Sequence, residues 1–481
     1  MLRLHHASAI HDPRTGRRLD APAFDRAVEE RCGQLEKAGL APGHTVAIRG
    51  RGSLSFFVDL FAAWRRRSAV ACLSPSLTAM EIERLTGFVG AGLLLDEDGP
   101  APVAGKVSAA ADADSGIDRP ALLLFTSGTT GEPKTVVLSY RALLARVALN
   151  AAEIGADALA STLNVLPVHF GHGLIGNCLT PLLTGGTLYL FAAPELAEIG
   201  RLGMLLTDHR IRFMSSVPSF WTLATRLSAP PERPTLRRVH VGSAPLSTHH
   251  WRQIVAWAGL DAVFNVYGIT EAANWIGGGR LDARGATDGY VGRMWGGQWA
   301  VAEPDGTPLL ADGEGEVLVA SPALMSGYFR RPDLTAKSLL NGWFRTGDIG
   351  RLDAAGRLTI TGRLKDEINV AGIKVHPEEV DLLLGRHEAV AECCCFAEPD
   401  PASGERVAVA VVPAAGVAGQ VDGPMLSAWM AERIRRECIP VRWYFLTAIP
   451  RSDRGKVNRA AVRDFCRSPE ARGGSTERRT P

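Results

Sequence analysis

The chain has 481 residues, too long for one typical domain and suited to two or three units. Its 46% hydrophobic and 22% charged residues are ordinary for a globular protein able to bury a sizeable core. Lys plus Arg total 53 against 51 Asp plus Glu, and this net charge of +2 argues neither for nucleic acid nor for an acidic membrane as partner.

In chain order, "AFDRAVEERCGQLEKAGL" places Phe24, Val28, Cys32 and Leu35 at helical spacing, with Gly39 near its end. "TVAI" (Thr45 to Ile48) predicts a strand, "SLSFFVDLFAAWRRR" a helix, and "AVACL" a second strand. "TAMEIERLTGFVG" opens with Thr78 and Glu81 in capping-box spacing, and "GLLLDED" gives a third strand. Strands alternating with helices imply a parallel or mixed sheet covered by helices. After a polar loop at "DADSGIDRP", Ser139 can cap a helix carrying Leu143, Leu144 and Val147. From about Glu303 the texture turns to short, glycine-rich strands, and a compact small domain follows Arg363. The fold class is therefore α/β, of mixed α+β type. Residues 1–362 form a large domain of helix-covered sheets with a β-rich subdomain, and 363–466 a small α+β domain. Residues 467–481 carry almost no apolar side chains and read as a disordered tail.

No stretch has the apolar length of a membrane span, and "MLRLHHASAIHDPRTGRR" lacks the apolar core of a signal peptide. The eight cysteines show no metal-ligand spacing. Cys393, Cys394 and Cys395 are consecutive, so on a strand they point to alternate faces and cannot converge on one ion. A buried strand in a protein of the reducing cytoplasm is expected.

The stretch "LLLFTSGTTGEPKTVVLSY" runs from Leu122 to Tyr140. Hydroxyls at Thr126, Ser127, Thr129 and Thr130 surround Gly128 and Gly131, and Lys134 follows Pro133. Glycines let backbone N–H groups approach an anion, hydroxyls donate to phosphate oxygens, and the lysine adds charge. The spacing matches neither the P-loop nor the dinucleotide fingerprint. By itself the stretch can equally be a hairpin turn.

Further motifs follow in order: "NVLPVHFGHG", "VGSAPLS", "NVYGITE", "GWFRTGD", "TGRLKDEINVAGIKVHPEEVD" and "PRSDRGKVNR". Taken together with the first, this series resembles the acyl-adenylate-forming superfamily. That superfamily comprises acyl- and aryl-CoA synthetases, non-ribosomal peptide synthetase adenylation domains and beetle luciferases. The resemblance covers nearly everything except the tail and is nearest in texture to the acyl-CoA synthetases.

It implies an AMP-forming acid–thiol ligase using ATP, Mg²⁺ and either CoA or a phosphopantetheinyl carrier protein. A carboxylate would attack the α-phosphorus of ATP, pyrophosphate would leave, and a thiol would then displace AMP. The loop Thr126, Ser127, Gly128, Thr129, Thr130, Gly131 and Lys134 would hold the β- and γ-phosphates. Gly242, Ser243 and Ala244 would form the adenine-side turn, Tyr267 would stack on adenine beside Gly268, and Thr270 would contact the α-phosphate. Glu271 would hold Mg²⁺, a hard cation that prefers carboxylate oxygen. Asp348 would accept the ribose hydroxyls, with Arg363 beside it. Lys456 would reach the nascent carboxylate–phosphorus bond. Lys365 would be the hinge of a mobile small domain, and Gly372 would serve the thioester step. Each has an ordinary alternative: Tyr267 a core aromatic, Asp348 a turn residue, Glu271 a helix cap, Lys456 a solvated cation.

Three departures from the family pattern stand out. Thr135 replaces a glycine after the loop lysine. His169 precedes Phe170 where the order is usually reversed. Ala371 stands where many CoA-forming relatives carry lysine. The acid-pocket stretch contains no carboxylate, which disfavours an α-amino acid, because a buried, unpaired ammonium is costly. His169, Phe170, Gly171, Met214 and Trp275 are the candidate pocket residues, and their apolar character favours a fatty, alkyl or aryl acid. No carrier domain follows the small domain in this sequence, so the thiol would come from free CoA or a separate carrier. The rival of another class is a catalytically inactive nucleotide-binding protein.

Overall fold

Two large sheets and one small one carry the chain. The computed structural model describes residues 2–97, 99–103, 116–126, 134–281, 286–304, 306–370, 373–400, 403–417, 419–451 and 457–468. Thr45–Arg49 lies in parallel between Ala69–Leu73 and Ala91–Asp96, and Ala69–Leu73 also pairs in parallel with Pro120–Thr126. These buried, apolar strands are what a sheet covered on both faces requires. Lys134–Ser139 adds an antiparallel strand against Pro120–Thr126, and Gly327–Tyr328 pairs beyond it.

The helices on this sheet form for local reasons. Asp20 caps Ala21–Lys37 by accepting from the Ala23 N–H, and Phe24, Val28, Cys32 and Leu35 bury one face. Truncating Phe24 to alanine in such a core costs about 3–5 kcal/mol. Thr78 and Glu81 make the predicted capping box for Ala79–Val89, which ends at Gly90 in the left-handed conformation (φ 64°). Ser139 caps Tyr140–Ile154.

The second sheet is the largest. Its centre is parallel: Thr187–Leu190, Ser161–Asn164, Phe213–Ser216, Arg238–Gly242 and Val263–Ile269 lie in that order. It then turns antiparallel at Asn274–Arg280 and runs through the β-rich region to Leu358–Arg363. Asn274–Arg280 ("NWIGGGR") is a strand the sequence reading did not predict, because glycine weakens a strand. A Cβ at Gly277 would meet the Trp299 ring at 2.5 Å, and one at Gly278 the Trp295 ring at 2.3 Å.

A separate five-stranded sheet, built from Ile368–Val370 to Arg442–Phe445, makes up the small unit, with Pro377–Leu384, Gly423–Ala431 and Arg459–Arg467 as its helices. In its strand Val390–Asp400, Cys395 packs with Val407 and Val409, whereas Cys394 packs with Phe396 and Ala408 on the other face. All eight cysteines are free. The last helix continues through Arg467, so the polar end begins later than residue 467; 469–481 lie outside the described residues. Among the described residues no helix is long and apolar enough to cross a membrane.

Candidate active site

The hairpin of Pro120–Thr126 and Lys134–Ser139 brings Thr126 opposite Lys134, and the Thr126 hydroxyl donates to the Lys134 carbonyl at 3.1 Å. Ser127, Gly128, Thr129, Thr130 and Gly131 lie outside the described residues, as do Gly372 and Lys456. Lys134 Nζ stands 3.4 Å from Glu271 Oε1, joining residues 137 positions apart. It also lies 4.2 Å from the centre of the Tyr328 ring, a cation–π contact.

Glu271 sits in the short turn Thr270–Ala272, between Val263–Ile269 and Asn274–Arg280. The Tyr328 hydroxyl donates to Glu271 Oε1 at 2.7 Å, and burial, then the carboxylate, push that phenol's pKa up. Oε2 takes no hydrogen bond among the described residues. A half-buried carboxylate with one oxygen unbonded among the described residues is a fitting ligand for a hard divalent cation. The Glu271 carboxylate caps no helix; the Glu271 backbone carbonyl accepts from Met325 N–H at 2.7 Å. The turn is also strained, since Ala273 (φ 60°) and Asn274 (φ 138°) occupy conformations that favour glycine.

A second cluster lies on the same sheet. The Tyr267 hydroxyl donates to Asp348 Oδ2 at 2.5 Å, and Arg363 Nε lies 2.7 Å from Asp348 Oδ1. Asp348 and Arg363 are register partners across their strands, which explains how residues 15 apart meet. Burial, and then Asp348, push the Tyr267 phenol well above its ordinary range, while Asp348 raises the Arg363 guanidinium. Gly268 is required where the strand bulges, because a Cβ there would meet the Asn274 carbonyl oxygen at 2.6 Å. Gly242 is required for a similar reason against Val266, and Ser243 and Ala244 follow it, exposed, with Ser243 at φ 67°.

The acid-pocket stretch forms a π-helix, His172–Leu179, a geometry frequent at functional sites. Its first residue had not been singled out from the sequence. His172 Nδ1 lies 2.7 Å from Ser243 Oγ and Nε2 2.6 Å from Ser215 Oγ. It thereby links the turn after Arg238–Gly242 to the strand Phe213–Ser216. Met214, adjacent on that strand, packs in a core cluster with Leu163 and Trp221, on the face opposite Ser215. Trp275 is buried, edge-on to His172 at 5.5 Å and to His240 at 4.6 Å between ring centroids. His169 is buried with its ring 3.9 Å from that of Phe170, and Gly171 has no neighbour closer than 3.8 Å to a built Cβ. Thr135 is a buried strand residue paired with Phe125. Lys365 is exposed in the turn Leu364–Asp366, directly after Arg363.

Tyr328 and His172 were missed for different reasons. Tyr328 joins the site through strand pairing with Val136, which no local pattern announces. His172 was visible as the second histidine of "HFGH", and its spacing from His169 was the available signal.

Sheet architecture and ordered motifs together define the adenylate-forming class. The chain belongs to the AMP-binding enzyme family: the model "AMP-binding enzyme" matches residues 3–329 and "AMP-binding enzyme C-terminal domain" matches 379–456. A fatty acid–[acyl-carrier-protein] ligase, ScoC, of Streptomyces coeruleorubidus is 31% identical over 96% of this chain and 98% of its own. Feruloyl-CoA synthase of an Amycolatopsis species is 28% identical over 95% and 96%. The ATP-bound MatB of Rhodopseudomonas palustris superposes with a TM-score of 0.82 at 24% identity, covering 95% of each chain, a likeness of fold.

Proposed function

We propose that the Lys134–Glu271–Tyr328 and Tyr267–Asp348–Arg363 clusters together bind Mg·ATP for the activation of a carboxylic acid. The protein is an AMP-forming acid–thiol ligase: it activates an acid as its adenylate with ATP and passes the acyl group to a thiol. The observation that carries the site assignment is the meeting of Lys134 with Glu271, which puts a phosphate-loop cation beside a carboxylate with one oxygen unbonded among the described residues.

In this reading Lys134 holds the outer phosphates, and Thr270 contacts the α-phosphate. Tyr267, fixed by its bond to Asp348, presents a ring face to adenine. Asp348 and Arg363 take the ribose hydroxyls. Glu271 would hold Mg²⁺, whose charge would offset the repulsion between substrate carboxylate and triphosphate. The carboxylate oxygen forms a bond to the α-phosphorus as the bond to pyrophosphate breaks. Lys456 stabilises the charge that builds there. The division into 1–362 and 363–466, the hinge at Lys365 and the use of Gly372 in thioester formation belong to this proposal.

The acid is a fatty, alkyl or aryl one, because the pocket stretch offers the rings of His169, Phe170 and His172 but no carboxylate for an ammonium. Free CoA is the first choice of acceptor, as in the feruloyl-CoA synthase. A carrier protein is the second, favoured by the similarity to the carrier-loading ligase. Eight free thiols fit a cytoplasmic location. The test is acid-dependent exchange of labelled pyrophosphate into ATP, across aliphatic, aryl and amino acids. Exchange with an apolar acid and none with its α-amino analogue is expected; no exchange with any acid would favour the inactive-binding alternative.

A further inference from the structure

Arg146 lies on the helix Tyr140–Ile154 with 0% of its surface exposed. Among the described residues it forms no ion pair, and burial alone pulls its pKa down to about 10, leaving it cationic at neutral pH. A buried guanidinium without a counter-charge is costly, and an apolar side chain would pack more cheaply. Its hydrogen bonds show what it holds. Nε donates to the Ala272 carbonyl at 3.1 Å, Nη1 to the Trp295 carbonyl at 3.3 Å, and Nη2 to Ser321 Oγ at 3.4 Å.

These three acceptors belong to segments that meet at the turn carrying Glu271. Ala272 is the residue after Glu271. Ser321 begins the turn that leads to Met325, whose N–H donates to the Glu271 carbonyl at 2.7 Å. Trp295 directly follows the strand Tyr290–Met294, and its N–H donates to the Ile276 carbonyl of Asn274–Arg280, the continuation of the same turn. Ala273 and Asn274, in conformations unfavourable for their side chains, need such support to persist.

We infer that Arg146 is a positioning residue for the metal–nucleotide complex: its three hydrogen bonds clamp the turn that aims Glu271. The inference rests on the reading of Glu271 as the Mg²⁺ ligand. Groups that orient a ligand from behind commonly change metal affinity or activity by about 10- to 100-fold when removed.

The test uses Arg146→Met and Arg146→Lys in the full chain. Affinity for a non-hydrolysable ATP analogue is measured by calorimetry with and without Mg²⁺, beside the melting temperature. Arg146→Met should weaken binding in Mg²⁺ by about tenfold or more and leave metal-free binding unchanged. Arg146→Lys, which keeps the charge but not the three-way fork, should fall between the two. Should the methionine variant not fold, the lysine variant decides: wild-type Mg²⁺ dependence there overturns the inference. A lowered melting temperature with unchanged Mg²⁺-dependent affinity would make Arg146 scaffold only, and equal losses with and without Mg²⁺ would also overturn it. Wild-type protein without Mg²⁺-dependent binding would overturn the reading of Glu271 itself, and that failure is visible before any substitution is made.

Discussion

Two glutamates, one in each part of the molecule, are buried to different ends. Glu398, in the small unit, is sealed: Oε1 accepts from the Tyr444 hydroxyl at 2.6 Å, and Oε2 accepts from Arg406 at 2.8 and 3.2 Å. Arg467 stands a further 3.6 Å away. Glu271 has one occupied oxygen, a lysine at 3.4 Å and a second oxygen with no hydrogen bond among the described residues. Its side chain keeps 13% of its exposure against 2% for Glu398. A carboxylate whose acceptor capacity is used up internally holds a fold together. One left with capacity, beside a cation and on a strained turn, is held for something else.

The largest effect that could break this comparison comes from Glu271→Gln. The change keeps shape but removes charge, so pyrophosphate exchange should fall about 100- to 1000-fold, as when a developing anionic centre loses its stabiliser. The melting temperature should barely move, since Glu271 caps no helix. Normal exchange with a lowered melting temperature would reverse its assignment.

Glu398→Gln should do the opposite. Removing one partner of a buried ion pair costs about 3 kcal/mol or more, and exchange per folded molecule should stay unchanged. The pH dependence has a definite sign. Burial pushes the Glu398 pKa up, but the bonds from Tyr444 and Arg406 outweigh it and hold the group below its ordinary value. Its contribution is therefore complete above the unfolded pKa and is lost as pH falls through the lowered folded one. The variant should show a flatter acid limb in a plot of stability against pH; an unchanged limb would mean the cluster is not a stability element.

A smaller effect is expected at Asp348, which shares features of both glutamates: each oxygen has a partner, Tyr267 or Arg363, and it is proposed to bind the nucleotide. Asp348→Asn weakens charge-assisted bonds worth about 2 kcal/mol. ATP affinity measured by titration should drop about 30-fold, by that energy. If stability falls and affinity holds, Asp348 belongs with Glu398.

The smallest effect sharpens the reading of Thr135. Its hydroxyl is buried without a hydrogen-bond partner among the described residues, on the strand that begins with Lys134. Thr135→Val should raise stability by about 1 kcal/mol, seen in denaturant unfolding. A loss instead would show that the hydroxyl has a partner in the folded protein.

Local patterns made much of the fold legible. The helix Ala21–Lys37 announced itself by four apolar residues at helical spacing, and the capping box of Thr78 and Glu81 by residue type alone. The alternation of Cys393 to Cys395 followed from strand geometry. The strand Asn274–Arg280 did not show, because its glycines are there to admit Trp295 and Trp299 from elsewhere in the chain. The site divides the same way. Lys134, Tyr267, Glu271, Asp348 and Arg363 could be marked by motif order. Their pairing could not, since it depends on strand register. Tyr328 and Arg146 contribute through tertiary position, and in sequence they are an aromatic after glycine and one polar residue on a helix.

The claim that Glu271 keeps an oxygen for a metal is tested most directly with Mn²⁺ as a spectroscopic stand-in for Mg²⁺. Binding of Mn²⁺ with a non-hydrolysable ATP analogue would be followed by electron paramagnetic resonance in wild type, Glu271→Gln and Glu398→Gln. The account predicts that Glu271→Gln weakens Mn²⁺ binding by about tenfold or more, while Glu398→Gln binds as wild type does. Wild-type Mn²⁺ affinity in Glu271→Gln, or equal losses in both variants, would contradict it.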